Sequence, residues 1–140
     1  MYLLDTNVVS ELRKIRNGKS DGHVAYWADS VDASDIYLST ITLQELAIGV
    51  LRVERRDPKQ GALLRVWLND FVVPAFEGRM LPVDAAVALR SAQLHVPDPR
   101  SVSDGLIAAT ALVHGMTVVT RNVADFESSG VPTLNPWNNL

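Results

Sequence analysis

SDGLIAATALVHGMTVVTRNVADF, residues Ser103 to Phe126, is the stretch from which the fold can be read. Ser103 is placed to cap a helix whose body, Leu106 to His114, is apolar on nearly every side, the pattern of a helix sunk in a core. Gly115 stops that helix, and Thr117-Val118-Val119-Thr120 follows as a short buried strand. Arg121, Asn122 and Asp125 then lie where the chain must turn. Asp104 is out of keeping with its surroundings. At helical spacing it heads the face made by Ile107, Ala108, Ala111 and Leu112, so a carboxylate stands at the entrance of the most apolar helix in the chain. By itself a first-turn Asp is explained by the helix dipole.

Working outward, the same grammar repeats. Met1 to Leu4 reads as a strand, ended by Asp5-Thr6-Asn7, with a helix from Val8 to Arg13 that Asp5 can cap. Val24 to Val31 is a second helix, whose Tyr26 and Trp27 are expected in the core. Ile36 to Ser39 is the second strand, and Thr40 or Thr42 caps the long helix that follows. Leu43, Leu46, Ala47, Val50 and Leu51 are its buried stripe. Thr42 with Glu45 fits a capping box, and the helical wheel sets Glu45 off the stripe, facing either a cleft or solvent. Leu63 to Val72 is amphipathic; Met80 to Val83 is a third strand; Asp84 caps Ala85 to Leu94; Gly130 to Leu134 is a last strand.

The order β-α-α-β-α-α-β-α-α-β-(short α)-β predicts a three-layer α/β/α sandwich with a mainly parallel central sheet, one domain over residues 1–140. Hydrophobic residues make up 47% of the 140, enough for a real core. The net charge of −3 argues against a general polyanion binder while allowing local basic grooves, for which Arg13 to Lys19 and Arg52 to Lys59 are the candidates. With no cysteine there are no disulfides or thiolate metal sites, which fits a reducing cytoplasm. No apolar run reaches the ~20 residues that span a bilayer, and no signal peptide is expected. His23, His95 and His114 are scattered without metal-ligand spacing and are read as structural.

This architecture gives Asp104 company. Ligands in open α/β sheets bind beyond the carboxyl ends of the strands. Asp5 and Asn122 lie just past strand ends, and Glu45 and Asp104 lie near the starts of helices, so these residues can meet at one sheet edge. Clustered carboxylates raise one another's pKa unless a cation neutralises them, and an all-oxygen set without His or Cys suits Mg²⁺ or Mn²⁺. Such an ion promotes phosphodiester hydrolysis by activating water and balancing charge on the leaving oxygen.

LLDTNVVSEL at Leu3 to Leu12, STITLQELAIGV at Ser39 to Val50, the opening stretch and the closing Asn135-Pro136-Trp137 together resemble a PIN-domain protein, of the VapC or FitB ribonuclease-toxin type. The resemblance covers nearly the whole chain in order; each motif is weak and the ordered set is strong. It implies metal-dependent RNA cleavage with Asp5, Glu45 and Asp104 holding Mg²⁺ or Mn²⁺. It also implies a homodimer and a small antitoxin protein whose tail wraps the toxin and blocks the site. Two positions depart from the family pattern. Asn122 stands where many members carry a fourth acid, and Gly105 stands where Ala is common. Asn122 is expected at the fourth ligand position, with Asp125 peripheral and Thr6 and Thr120 as supporting hydroxyls. Two other readings stay open. A phosphatase-like hydrolase would use Asp5 as nucleophile, although the chain lacks a second Asp after Asp5-Thr6-Asn7 and the matching lysine motif. A catalytically weak interaction module would keep the fold alone.

Overall fold

The structure, a computed structural model, describes residues 1–138. Its frame is a five-stranded parallel sheet in the order β3-β2-β1-β4-β5. The strands are β1 (Tyr2–Leu4), β2 (Ile36–Ser39), β3 (Met80–Leu81), β4 (Thr117–Val119) and β5 (Thr133–Leu134). The helices are α1 (Thr6–Leu12), α2 (Gly22–Ser30), α3 (Thr40–Arg56), α4 (Pro58–Val66), α5 (Val73–Ala75), α6 (Ala85–Leu94), α7 (Val102–His114) and α8 (Ala124–Glu127). The expected three-layer sandwich is what forms.

Alternation along β1 and β4 makes the layers. Leu3 and Val118 point into a core with Val87, Leu94, Ile107, Ala108 and Phe126, residues of α6, α7 and α8. Leu4 and Val119, the next residues along, point into the opposite core with Val8, Trp27, Leu46, Val50 and Leu68. Each layer therefore follows from the two-residue period of a strand buried on both faces.

Helix starts differ from the sequence reading. Ser101, not Ser103, caps α7, its hydroxyl accepting from Asp104 N at 3.1 Å. Ser39, not Thr40 or Thr42, caps α3, accepting from Ile41 N at 3.0 Å. Thr42 is fully buried inside that helix, so Thr42 and Glu45 do not form a capping box. The helix expected from Leu63 begins at Pro58, capped by Asp57, and widens into a π-helical turn from Trp67 to Val72. Trp27 joins the core as expected, but Tyr26 is 78% exposed. Gly115 ends α7 in the left-handed region at φ 67°, as its sequence position demands. In the closing Asn135-Pro136-Trp137 segment Pro136 is buried and Trp137 packs against the core that holds Trp27, Leu46 and Val50.

Candidate active site

The chain runs outward from β1 to β2 and β3, then returns to set β4 on the other side of β1. The direction of winding reverses between β1 and β4, and open α/β sheets bind ligands in the crevice beyond the carboxyl ends of the strands at such a point. Asp5 follows β1 and Thr120 follows β4, so both stand at this switch point. Asp5 N donates to Val119 O at 2.9 Å, which continues the ladder and leaves the side chain to turn into the crevice.

Asp5 is 7% exposed. Thr120 Oγ1 donates to its Oδ2 at 2.8 Å, and Thr6 N donates to its Oδ1 at 2.8 Å. Burial pushes the Asp5 carboxyl above its ordinary value; the Thr120 and Thr6 bonds act against this, and the charges of Glu45 and Asp125 add to it. Asp104, half-buried in the first turn of α7, is raised first by burial and then by Asp5 and Asp125, against the Ser101 hydroxyl and Arg100. Glu45 enters from α3, where Thr6 Oγ1 donates to its Oε1 at 2.7 Å. Among the described residues no ion pair involves any of these four acids.

The structure thus puts Asp5 in the field of Glu45 and Asp125, puts Asp104 in that of Asp5 and Asp125, and sets Thr6 on Glu45 and Thr120 on Asp5. As the side chains stand, no three of the described acids are close enough to share an ion. Asn122 and Asp125 both lie beyond β4, and both are exposed. Asn122 is exposed, and it shapes the turn: its N donates to Thr120 Oγ1 at 3.0 Å and its carbonyl accepts from Asp125 N at 3.0 Å. Asp125, though exposed, is the residue whose charge reaches both Asp5 and Asp104.

Sequence reasoning missed Asn7. Its Nδ2 lies 3.3 Å from Asp5 Oδ2 and 3.5 Å from Thr120 Oγ1, and its Oδ1 accepts from Arg121 N at 3.2 Å. The signal was its place two residues after a strand-end Asp, where a carboxamide readily bonds a neighbouring turn.

Beyond Thr6 and Glu45 the crevice continues as a groove between α1, α3 and α4, lined by Arg13, Leu46, Val50, Val53, Leu64 and Trp67. Its walls are firm. A Cβ on Gly61 would come within 2.4 Å of Glu54 Cα, so only glycine permits this approach of α4 to α3. Arg65 forks onto Glu54 at 2.7 and 3.1 Å across the same seam. Arg13 lies over Trp67 and Arg16 over Phe71, with 5.9 and 4.0 Å to the ring centroids, which puts cations along an apolar floor.

The PIN domain family model matches residues 2–128. The chain is similar to the toxin FitB of Neisseria gonorrhoeae, 40% identical over 99% of both chains. It is similar to a VapC ribonuclease of Sinorhizobium fredii, 37% identical over 98% of each. Among solved structures it superposes on FitAB bound to a DNA fragment with a TM-score of 0.88 and 36% identity, covering 100% of this chain and 98% of that one.

Proposed function

Since the chain belongs to the PIN domain family, we propose that it is a ribonuclease toxin that hydrolyses RNA phosphodiesters with Mg²⁺ or Mn²⁺ at the Asp5, Glu45 and Asp104 carboxylates. The observation that carries this reading is a buried Asp5 in the field of two further acids, Glu45 and Asp125, with no described cation at ion-pair distance from it. Such a set is unfavourable alone and becomes favourable with a hard divalent ion, for which all-oxygen donors are the right chemistry. When bound, that ion supplies a polarised phosphate oxygen and an activated water.

The chain's own residues do the rest. Thr120 fixes the rotamer of Asp5 and Thr6 fixes that of Glu45, so two carboxylates are oriented before any ligand arrives. Asp125 adds negative charge from the β4–α8 turn. Asn7 couples Asp5 and Thr120 to the backbone of Arg121 and holds the mouth of the crevice together.

The same reading includes an antitoxin protein and a homodimer. The groove past Glu45 suits an amphipathic segment of an antitoxin, because a chain seated on Leu64 and Trp67 would end beside the acids and cover them. For the dimer, the exposed apolar residues Leu89, Val96 and Val102 on the α6–α7 hairpin offer a contact surface. Among the described residues no helix is long and apolar enough to cross a membrane, and the reading places the protein in the cytoplasm. The deciding experiment is cleavage of RNA by purified, antitoxin-free protein with Mg²⁺, with Mn²⁺ and with EDTA. Cleavage that depends on the metal supports the proposal; none with either ion, or full cleavage in EDTA, refutes it.

A further inference from the structure

Arg121 is held with unusual care for an exposed residue. Its backbone N donates to Asn7 Oδ1 at 3.2 Å and its carbonyl accepts from Asn135 Nδ2 at 3.4 Å. Asn135 is itself fixed, its Oδ1 accepting from Trp137 N at 2.9 Å. The guanidinium lies 5.1 Å from the centroid of the Trp137 ring, and that ring is anchored against the core. Both the backbone and the side chain of Arg121 are therefore set in place before any ligand arrives.

Its position gives this arrangement a use. Arg121 directly follows Thr120, the residue that donates to Asp5, and it shares Asn7 with both. It is exposed, and among the described residues its guanidinium pairs with no carboxylate. A polyanion approaching this crevice meets Asp5, Glu45, Asp104 and Asp125 in a chain of net charge −3. A cation carried on the turn that follows β4 offsets that repulsion as the strand approaches. Guanidinium matches phosphate with two parallel N–H donors, and stacking on an aromatic ring reduces the freedom left to lose on binding.

We propose that Arg121, backed by Trp137 and positioned by Asn7 and Asn135, binds a backbone phosphate of the RNA strand beside the point of cleavage. This rests on the reading of the crevice as an RNA-cleaving site. It separates Arg121 from Arg13, which lines the groove proposed for the antitoxin.

The test compares the parent with Arg121→Gln and Arg121→Lys. Binding is measured by fluorescence anisotropy with a labelled, 2′-O-methylated single-stranded oligonucleotide over a salt series, and cleavage by steady-state kinetics on unmodified RNA. Thermal melts confirm that each variant is folded. Arg121→Gln is expected to raise KM about tenfold with kcat nearly unchanged, and to reduce the slope of log affinity against log salt by about 0.7, one phosphate contact on a single strand. Arg121→Lys is expected to keep the slope while losing part of the affinity. A parent that binds and cleaves RNA beside an Arg121→Gln variant with the same KM and slope overturns this proposal alone. So does a variant that loses only its grip on the antitoxin. A parent that neither binds nor cleaves RNA overturns the ribonuclease reading and this proposal with it.

Discussion

Thr6 Oγ1 donates to Glu45 Oε1 at 2.7 Å across 39 residues of sequence, tying the first residue of α1 to the second turn of α3. This bond turns Glu45 toward the crevice. Thr6→Val keeps the shape and removes the donor, so Glu45 loses its fixed rotamer. Removing such an orienting partner costs about 10–100-fold in metal affinity or rate. Thr6→Ser should recover most of the loss. Cleavage and Mn²⁺ titration of the two variants provide the check, and a Thr6→Val protein as active as the parent would reduce the bond to a helix-start contact.

The raised carboxyls of Asp5 and Asp104 predict how metal-free stability changes with pH. Each takes up its proton more readily folded than unfolded. Their stabilising contribution is therefore complete below the ordinary value of 3.8 and is lost as pH climbs through the raised folded values. Glu11, held low by the Asp21 amide, contributes in the opposite sense, so the useful quantity is parent minus variant. In EDTA at neutral pH, Asp104→Asn should melt at or above the parent, with the difference vanishing in acid. Adding Mn²⁺ should raise the parent more than the variant. A variant that melts well below the parent at neutral pH without metal would mean that Asp104 serves folding.

The layers were legible because they depend on short-range pattern. Leu3 and Leu4, adjacent and both apolar, already specify a strand buried on two faces. The caps were misread by a few residues because Ser101, Ser103, Ser39, Thr40 and Thr42 are all acceptable caps by type, and only the backbone geometry chooses among them. For Glu45 a helical wheel gives an angle without saying what lies opposite. The answer was Thr6, on another element. Asn7 was invisible for the same reason: its partners Asp5, Thr120 and Arg121 come together only when β4 pairs with β1.

Exposure on the α6–α7 hairpin predicts where subunits meet. Leu89, Val96 and Val102 are 70%, 76% and 68% exposed on one connected unit. Leu89→Glu with Val102→Glu should give a monomer in sedimentation at micromolar concentration while the parent sediments as a dimer. The melting temperature should drop by a few degrees at most if the single-subunit core is intact. A parent that is itself monomeric, or a variant that still dimerises, would exclude this face.

Gly105 has a neighbour that explains it. A Cβ there would lie 2.7 Å from His95 Nε2 and 3.2 Å from Ser91 Oγ, so the imidazole occupies the room an alanine would need. Gly105→Ala gains about 0.5–1 kcal/mol of helix preference and loses about 1–3 kcal/mol to overpacking. We expect a net loss of about 1 kcal/mol in the parent. With His95→Ala only the 3.2 Å contact with Ser91 Oγ remains, and the same substitution should stabilise by up to about 0.5–1 kcal/mol. Chemical denaturation of the four proteins of this cycle tests the sign change. Additive effects would show that His95 moves aside freely.

For the fourth acidic position, contested by Asn122 and Asp125, we propose the charged residue. Asn122 gives its backbone to the turn, its N to Thr120 Oγ1 and its carbonyl to Asp125 N, and both bonds survive loss of the amide side chain. Asp125 is carried by that turn to where its charge raises the pKa of Asp5 and of Asp104. A group that makes two carboxylates harder to ionise also makes a divalent cation more welcome between them. Asp125→Asn should therefore weaken Mn²⁺ binding and slow cleavage about tenfold or more, in the range seen for outer partners of metal ligands. Asn122→Ala should cost less in both, with thermal stability near the parent's. Asn122→Asp, which adds a charge at the same turn, should tighten Mn²⁺ binding in the Asp125→Asn background and recover part of the rate. If Asn122→Ala is the silencing change and Asp125→Asn is inert, Asn122 is the ligand and Asp125 only opens a short helix.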